Sequence, residues 1–316
     1  MRLNKFDLNL LVALDALLRE KSVTRAAERV FISQPAMSAA LAKLREYFDN
    51  PLLVRVGRDM DLTPRARALR EPVRQMLLDA QAVLGSQSEF DPAIERHTFT
   101  LLCPDNVSPW VMPGLLRRIE RTAPGIRIEV ERPSGSGLTK LAEGDVDLLL
   151  SLDASDSLPF PSLPESICSA FVVDLRYQGI VSSDNPVAHD QLTEEQLLKL
   201  PYILVRNSRR SSRVEEFINE RYGVQLDIRA VTENVLELPF LVTGTPFLAI
   251  TLEPLARVLK SSPRLRVLEL PPDTLPHSRL DMLWHRSLQS DVAHTWLRSI
   301  VLEECSSSRG PLTQGA

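Results

Sequence analysis

The stretch SVTRAAERVFISQPAMSAALAKLREYF, residues 22–48, decides the fold of the N-terminal part of the chain. It holds two short helical patterns that are separated by the turn FISQP. Ser22 and Ser33 stand at the N-cap positions, and Pro35 falls in the first turn of the second pattern, where its missing N–H costs little. The stretch therefore predicts a helix-turn-helix, two helices joined by a short turn.

The second helix of this pair has two unlike faces. Met37, Leu41, Leu44 and Phe48 recur at steps of four, three and four and share an apolar face. The opposite face carries small or short polar side chains, namely Gln34, Pro35, Ser38, Ala39 and Ala42. Small side chains let a helix lie deep in the major groove of B-DNA, roughly 12 Å wide, where Gln34 can pair with adenine and Ser38 with a base edge or a phosphate. The alternative is an Ala-rich helix that packs against another protein element.

Residues on either side of the helix-turn-helix complete a small domain. Before it, the segment FDLNLLVALDALLREK has apolar residues at helical spacing: Phe6, Leu10, Leu11, Leu14, Leu17 and Leu18. After it, PLLVRVGRDMDLTP alternates like a short hairpin around Gly57. Arg55 and Arg58 of this hairpin are expected near the phosphate backbone or in the minor groove, unless they are solvated hairpin charges.

Charge is distributed unevenly along the chain. Residues 1–70 have a net charge of +5 and the remaining residues have −9, which together give the net charge of −4 for 316 residues. A basic N-terminal part followed by an acidic remainder is typical of a polyanion-binding domain joined to a domain of another kind.

No apolar run approaches the roughly 18 residues that span a bilayer, and no secretion signal is found, so a cytoplasmic protein is expected. The cysteines, Cys103, Cys168 and Cys305, have no metal-type spacing and are expected to be buried free thiols.

A long helix is predicted to follow the hairpin, beginning at Thr63 and Pro64. Its apolar residues recur at steps of three and four, which is the spacing of a coiled-coil seam: Ala66, Leu69, Val73, Met76, Ala80 and Val83. A single buried amphipathic helix fits this pattern equally well. Pro72 predicts a kink, and the segment GSQSEFDP, residues 85–92, predicts a hinge to the next domain.

From Thr98 onward strand-like and helical segments alternate, which favours an α/β domain with mostly parallel sheets. Strands are expected at FTLLC, IRIEV, VDLLLSL, FVVDLRYQGIV, YILV, FLAIT, LRVLEL and RLDMLWH. Ligands of such domains bind at the carboxyl ends of strands. The sequence has no G-x-S-x-G, no H-E-x-x-H and no complete phosphate loop, and His277, His285 and His294 lack the spacing of metal ligands. We therefore expect neither an enzyme nor a bound metal or cofactor.

The N-terminal segment DLNLLVALDALLREKSVTRAAERVFISQPAMSAALAKLREYFDNPLLVRVGR…LTPRA resembles the winged helix-turn-helix of LysR-type transcriptional regulators. The matching features are TRAAERV, SQPAMS and PLLVR…LTPRA. One position departs from the pattern: many members carry a basic residue where this chain has Ala39, which leaves contact with a thymine methyl as its largest contribution. The resemblance implies a regulator of promoter DNA in which the linker helix pairs two subunits, and dimers commonly pair into tetramers on DNA. The residues expected to bind DNA are Thr24, Arg25, Ser33, Gln34, Pro35, Ala36, Ser38, Ala39, Lys43, Arg55 and Arg58.

The C-terminal part resembles the effector domain of the same family. The segments ERHTFTLLCPDNVSPWVMPGLLRRIERTAPGIRIEVE, LAEGDVDLLLS and MLWHRSLQSDVAHTWLRSIVLEE carry this likeness, which extends to the branch of nodulation and aromatic-degradation regulators. The resemblance implies a C-terminal α/β effector domain of two periplasmic-binding-protein-like lobes. Expected boundaries are 1–62 for the DNA-binding domain, 63–90 for the linker helix and hinge, 91–305 for the effector domain and 306–316 for a disordered tail. Lobe one is expected at about 97–172 and 279–305, and lobe two at about 173–278. The alternative is a free-standing solute-binding protein of the same fold.

An effector site is expected in the cleft between these lobes. The loops PDNVS and PSGSG follow strands of lobe one and offer backbone N–H groups and hydroxyl donors to an anion. The resemblance suggests a small aromatic carboxylate as effector, although Asp105 would repel it. The expected site residues are Asp105, Asn106, Ser108, Trp110, Pro133, Ser134, Ser136, Arg206, Asn207, Asn234, Phe240 and Thr243, each of which also suits an ordinary capping or surface role.

Overall fold

The computed structural model describes residues 6–56, 59–85, 90–153, 163–186, 191–206 and 212–307. Arg58 and Asn207 of the expected sites lie outside these ranges, as do half of the predicted hinge and most of the predicted tail. The described residues form a small head, a long helix and a two-lobed α/β domain.

The head is a three-helix unit with a hairpin, as predicted. Its elements are α1 (Asn9–Glu20), α2 (Val23–Arg29), α3 (Gln34–Phe48), β1 (Leu53–Val56) and β2 (Asp59–Leu62), with β1 and β2 antiparallel. The Ser22 hydroxyl accepts from the Arg25 N–H at 3.4 Å, and the Ser33 hydroxyl accepts from the Ala36 N–H at 3.3 Å. Both predicted N-caps are thus confirmed. Leu14, Met37 and Leu44 fill the core among the three helices.

The linker helix α4 (Pro64–Gly85) starts as predicted, because the Thr63 hydroxyl caps it by accepting from the Ala66 N–H at 3.1 Å. The helix runs unbroken through Pro72. Ala66 and Val73 are buried in the core of the head itself, where α4 packs on α1. The first half of the expected coiled-coil seam is therefore an intramolecular contact.

Lobe one is built on a five-stranded sheet in the order β4-β3-β5-β12-β6. Its strands are β3 (His97–Leu102), β4 (Ile126–Glu131), β5 (Leu148–Leu152), β6 (Ile167–Leu175) and β12 (Ser278–His285). The helices of this lobe are α5 (Ser108–Thr122), α6 (Gly137–Ala142) and α11 (Val292–Ser307). β3 is parallel to β4 and β5, whereas β12 is antiparallel to both of its neighbours.

The described residues of lobe two form two smaller sheets. β7 (Tyr177–Ser182) lies between β10 (Ala249–Leu252) and β11 (Leu265–Glu269), antiparallel to both, and β8 (Tyr202–Val205) is parallel to β9 (Ile228–Thr232). The helices are α7 (Glu194–Lys199), α8 (Arg213–Tyr222), α9 (Leu238–Val242) and α10 (Glu253–Leu259). α8 ends at Gly223, whose φ of 65° is the left-handed backbone that favours glycine.

The prediction of mostly parallel sheets was wrong. The chain crosses to lobe two at Arg176, so the expected strand FVVDLRYQGIV is two strands, β6 and β7. It returns through β12, which enters lobe one from the opposite direction and therefore pairs antiparallel. Leu175 pairs with Ser278, so lobe one extends to 175 and resumes at 278, slightly beyond the expected limits. α11 continues to Ser307 and shortens the predicted tail.

Candidate DNA-binding and effector sites

The outward face of α3 carries the small and polar side chains that the sequence assigned to DNA. Gln34, Ser38 and Ala39 are exposed, as are Pro35, Ala36 and Lys43. On the other side of the helix, Met37 is completely buried against the rest of the head. The helix is therefore fixed by its apolar face, and its small face is turned to solvent.

Two expected DNA contacts also have structural roles. The Ser33 hydroxyl is occupied as the N-cap of α3. Arg25, at the start of α2, donates to the Glu20 carbonyl at 2.6 Å and lies 3.4 Å from the Glu20 carboxylate. Thr24 is exposed beside Arg25. The hairpin presents Arg55 on β1, exposed and opposite Met60 of β2.

Part of the positive charge of the head is neutralised within the head. Lys21 and Arg67 each place a nitrogen 2.8 Å from a carboxylate oxygen of Asp61. Hydrogen bonds from Lys21, from the backbone and from Arg67 hold the pKa of Asp61 well below its usual value. Asp61 therefore stays ionised, and these two cations already have an anionic partner.

On lobe one, the expected effector residues gather at one edge of the sheet. Asp105, Asn106 and Ser108 follow β3, and Pro133, Ser134 and Ser136 follow β4. Because β3 and β4 are parallel neighbours, their carboxyl ends lie at the same edge. The hydroxyls of Ser134 and Ser136 are 3.0 Å apart. The fold thus brings the two loops together, as the strand order requires.

Arg132 alters the expected electrostatics of this edge. Its guanidinium lies 2.5 Å from the Asp105 carboxylate and joins the two loops. The Asp105 carboxylate alone would repel an anionic effector. The ion pair offsets that charge, because the cation at the end of β4 lies directly beside the carboxylate.

On lobe two, Arg206 is engaged by its own lobe. Its guanidinium binds both carboxylate oxygens of Glu215, with Nη2 to Oε1 at 2.7 Å and Nε to Oε2 at 3.1 Å. Such a bidentate pair is among the stronger charge-assisted contacts. The Glu215 carboxylate therefore already occupies Nε and Nη2 of Arg206 and offsets the charge that this residue would offer to an effector carboxylate.

The remaining lobe-two residues divide between structural and exposed roles. Asn234 caps a short 3-10 helix by accepting from the Leu236 N–H at 3.0 Å, and Thr243 donates to the Pro239 carbonyl at 2.7 Å. Phe240 of α9 is 81% exposed. Trp110 of lobe one is half-buried against the core of that lobe. Phe240 is thus the least constrained of the expected wall residues.

A buried carboxylate that was not among the expected site residues lies where the lobes join. The Asp153 carboxylate accepts from the Ser278 hydroxyl at 2.6 Å and from the Arg279 N–H at 2.8 Å, and it lies 2.5 Å from Arg213 at the start of α8. Asp153 is buried and has a φ of 49°, a strained backbone for a non-glycine residue. Burial, followed by the Asp153 charge, raises the pKa of the neighbouring Tyr177. A lone Asp after a strand carries no motif, so no sequence signal marks this contact between lobes.

The cysteines fit the expectation of free thiols, with Cys103 and Cys305 buried and Cys168 half-buried. Burial raises the pKa of Cys103 to about 12, so this thiol stays protonated and is a poor nucleophile. Within the described ranges, no group of three or more His, Cys, Asp or Glu side chains is placed to hold a metal ion. No helix in the same ranges is both long and apolar enough to cross a membrane.

Two family models match the chain. The model described as LysR substrate binding domain matches residues 93–306, and the model described as bacterial regulatory helix-turn-helix protein, lysR family, matches residues 8–67. Nodulation protein D 1 of Mesorhizobium japonicum is 34% identical over 313 residues, covering 98% of this chain and 97% of that protein. Nodulation protein D 1 of Sinorhizobium fredii is 31% identical over 306 residues, covering 97% of this chain and 93% of that protein.

Solved structures resemble the whole chain as well. The probable transcriptional regulator PA0477 from Pseudomonas aeruginosa has a TM-score of 0.63 at 28% identity, covering 95% of this chain and 97% of that one. A full-length OxyR variant from the same organism has a TM-score of 0.74 at 17% identity, covering 98% and 99%. CbnR complexed with its target DNA has a TM-score of 0.57 at 16% identity, covering 96% and 100%. For the last two proteins the likeness concerns the fold alone.

Proposed function

The chain belongs to the LysR family of bacterial regulatory proteins, and from this premise we propose which residues read promoter DNA, which pair the subunits and where the effector binds. It is a DNA-binding transcriptional regulator whose C-terminal domain receives a small-molecule effector. Promoter DNA, the effector and further copies of the chain are its partners. The head binds DNA, and the two-lobed domain responds to the effector.

We propose that α3 is the recognition helix and that Gln34 reads a base pair. The opposite burial of its two faces carries this proposal: Met37 is completely buried, whereas Gln34 and Ser38 are exposed. The first turns of a helix held this way present small or short polar side chains to the groove, and the longer Lys43 follows further along the same helix. A Gln amide can donate and accept at the same time and therefore pairs with the N6 and N7 edge of adenine. Arg55 on the hairpin adds a phosphate contact that carries no sequence information.

The test compares Gln34→Ala with Arg55→Ala on an operator obtained by sequencing genomic DNA fragments that the protein protects. Gln34→Ala is expected to cost about 1–3 kcal/mol on the operator and to relax discrimination at one base pair. Arg55→Ala is expected to weaken binding on all duplexes. It should also reduce the slope of log affinity against log salt concentration by about one unit. Gln225→Ala makes the same chemical change on lobe two and serves as the control. Equal losses on operator and random duplexes would refute base readout by Gln34.

We propose that the second half of α4 pairs two subunits. Met76, Ala80 and Val83 are exposed at the spacing of a seam, and Val83 is 72% exposed. Unlike Ala66 and Val73, these side chains are not buried in the core of the head, on which α4 packs as far as Leu77. Pairing two copies of this stripe removes apolar surface from water, which favours a dimer.

We propose a small aromatic carboxylate as the effector, held between the lobes at the carboxyl ends of β3 and β4. Three features support this site: the hydroxyls of Ser134 and Ser136, the cationic Arg132 beside them, and the aromatic surface of Phe240. Asn106 and Ser108 add polar groups from the adjoining loop. Such a mixture of an apolar wall and a few polar groups is typical of small-ligand sites.

Isothermal titration calorimetry with benzoate, 4-hydroxybenzoate and cinnamate tests the effector site. We expect one of these acids to bind the wild type and to lose at least about tenfold in affinity when Ser134 and Ser136 are both changed to Ala, since each lost charge-assisted hydrogen bond is worth roughly 1.5–3 kcal/mol. Ser261→Ala, on the surface of lobe two, is the control. Binding that survives the double change places the effector elsewhere.

A further inference from the structure

A short turn of lobe one touches the DNA-binding head of its own chain. The turn consists of residues 143–145, between α6 and β5, and is called the docking turn below. Arg19 of α1 donates to the Glu143 carbonyl and pairs with the Asp145 carboxylate. Arg29 of α2 lies 3.3 Å from the same carboxylate. Two helices of the head are thereby joined to the effector domain.

The linker helix joins the same turn from a second direction. Arg70 of α4 pairs with the Glu143 carboxylate, and Arg74 donates to the Gly144 carbonyl at 2.8 Å. Gly144 has a φ of 64°, which is the usual backbone for ending a helix, and its N–H bonds back to the Leu141 carbonyl. The carbonyls that accept from the arginines therefore belong to the end of α6, where cationic donors are favoured.

These contacts balance charges that are largely out of water. The side chains of Arg19 and Arg74 are only 8% and 15% exposed, and both lie near Asp15, at 3.1 and 3.6 Å. Burial, followed by the charge of Arg19, lowers the pKa of Arg74. One carboxylate cannot balance two buried cations, and an uncompensated buried charge is strongly destabilising. The docking turn supplies the missing anionic and carbonyl partners.

We propose that the docking turn is the surface by which lobe one holds the head in a fixed orientation, and that its release frees the head to reorient on DNA. The partner that fits this acidic turn is the arginine face of the head and linker helix, formed by Arg19, Arg29, Arg70 and Arg74. α6 connects the two sites of the protein, because it begins directly after the loop of Ser134 and Ser136 and ends at the turn. Leu141 of α6 is completely buried in a cluster with Leu102 of β3 and Leu149 of β5, so the helix is fixed to the central sheet of lobe one. This last link rests on the effector site proposed above; the contact itself does not.

A charge swap at Arg70 and Glu143 tests the contact in the full-length protein without any effector. Hydrogen–deuterium exchange is measured for the amides of α6, the docking turn and the first half of α4. Arg70→Glu and Glu143→Arg are each expected to raise exchange at the docking turn by about tenfold, because each places like charges together where a partly buried pair stood. The double variant Arg70→Glu/Glu143→Arg restores opposite charges and is expected to return exchange to within about threefold of the wild type.

Arg67→Glu is the matched control, because Arg67 lies on the same helix but pairs with Asp61 inside the head. It should leave exchange at the docking turn unchanged. The single variants should also change the bend of operator DNA in a circular-permutation gel assay, and the double variant should reverse that change. The proposal would be overturned if both single variants exchanged at the wild-type rate. It would also be overturned if the double variant exchanged as fast as the single variants. Loss of operator binding in the wild type itself would instead count against the proposed function, so the two failures are distinguishable.

Discussion

Changing His294 to Gln is expected to make the effector domain less sensitive to acid. His294 is buried in α11, where its Nδ1 lies 2.6 Å from Arg298 Nη1 and its Nε2 lies 2.9 Å from the Asp147 carbonyl oxygen. Arg298 can only donate and the carbonyl can only accept. The ring is therefore neutral, with its proton on Nε2, and a second proton on Nδ1 would face the guanidinium.

The magnitude follows from the pKa of this group. Burial lowers the pKa of His294 from 6.5 to about 4. The unfolded chain thus takes up a proton at a higher pH than the folded chain, and the stabilisation is fully present above pH 6.5 and is lost as the pH falls toward 4. The linkage between protonation and folding then lowers the free energy of unfolding by about 2 kcal/mol between about pH 7.5 and pH 5. Below both pKa values the decrease reaches a limit of roughly 3.4 kcal/mol.

Urea unfolding followed by tryptophan fluorescence measures this effect. All three tryptophans, Trp110, Trp284 and Trp296, lie in the effector domain, so the signal reports that domain. Gln titrates at no pH, so His294→Gln should be less stable than the wild type at neutral pH and should lose about 2 kcal/mol less on acidification. The two stability curves should converge toward low pH. Curves that run parallel from neutral to acid pH would refute the assignment of a buried neutral imidazole.

Three further outcomes are expected. Asp153→Ala should destabilise the effector domain by about 3–5 kcal/mol, because it removes the charged acceptor of the Ser278 hydroxyl and of the Arg279 N–H as well as the anion beside Arg213. Asp153→Asn loses the charge but keeps an acceptor, so it should cost clearly less; equal losses in urea unfolding would mean that the two hydrogen bonds contribute nothing to stability. Met76→Glu together with Val83→Glu should give monomers by light scattering at micromolar concentration while leaving the head folded, and an intact dimer would remove these residues from the seam. Ala39→Lys should strengthen binding to random DNA and steepen its salt dependence by about one unit, and an unchanged slope would mean that this position does not reach a phosphate.

Local pattern was enough to predict the head. The buried face of α3, the caps at Ser22 and Ser33 and the start of α4 at Thr63 all depend on residues within one or two helical turns. Periodicity does not identify what an apolar face packs against. Ala66 and Val73 were placed in a seam between subunits, and they pack on the head instead.

The parts that could not be predicted depend on distant residues. Asp153 meets a hydroxyl 125 positions further along the chain, and Arg19 meets a carboxylate 126 positions away. Arg206 looked available because its partner Glu215 lies nine positions away, on another element. The antiparallel strands of lobe one follow from the return of the chain after lobe two, which no window of sequence contains.

The position of β12 has a consequence for the order in which the protein is made. This strand lies between β5 and β6, so the central sheet of lobe one has a gap until residues 278–285 leave the ribosome. The core of the head is complete once α4 has been made as far as Leu77, and at roughly 5–20 residues per second it precedes β12 by on the order of ten to forty seconds. During that interval a nascent chain can carry a folded DNA-binding head on an unfinished effector domain. Premature termination anywhere between the two points should therefore give fragments whose heads fold without a regulatory domain to control them.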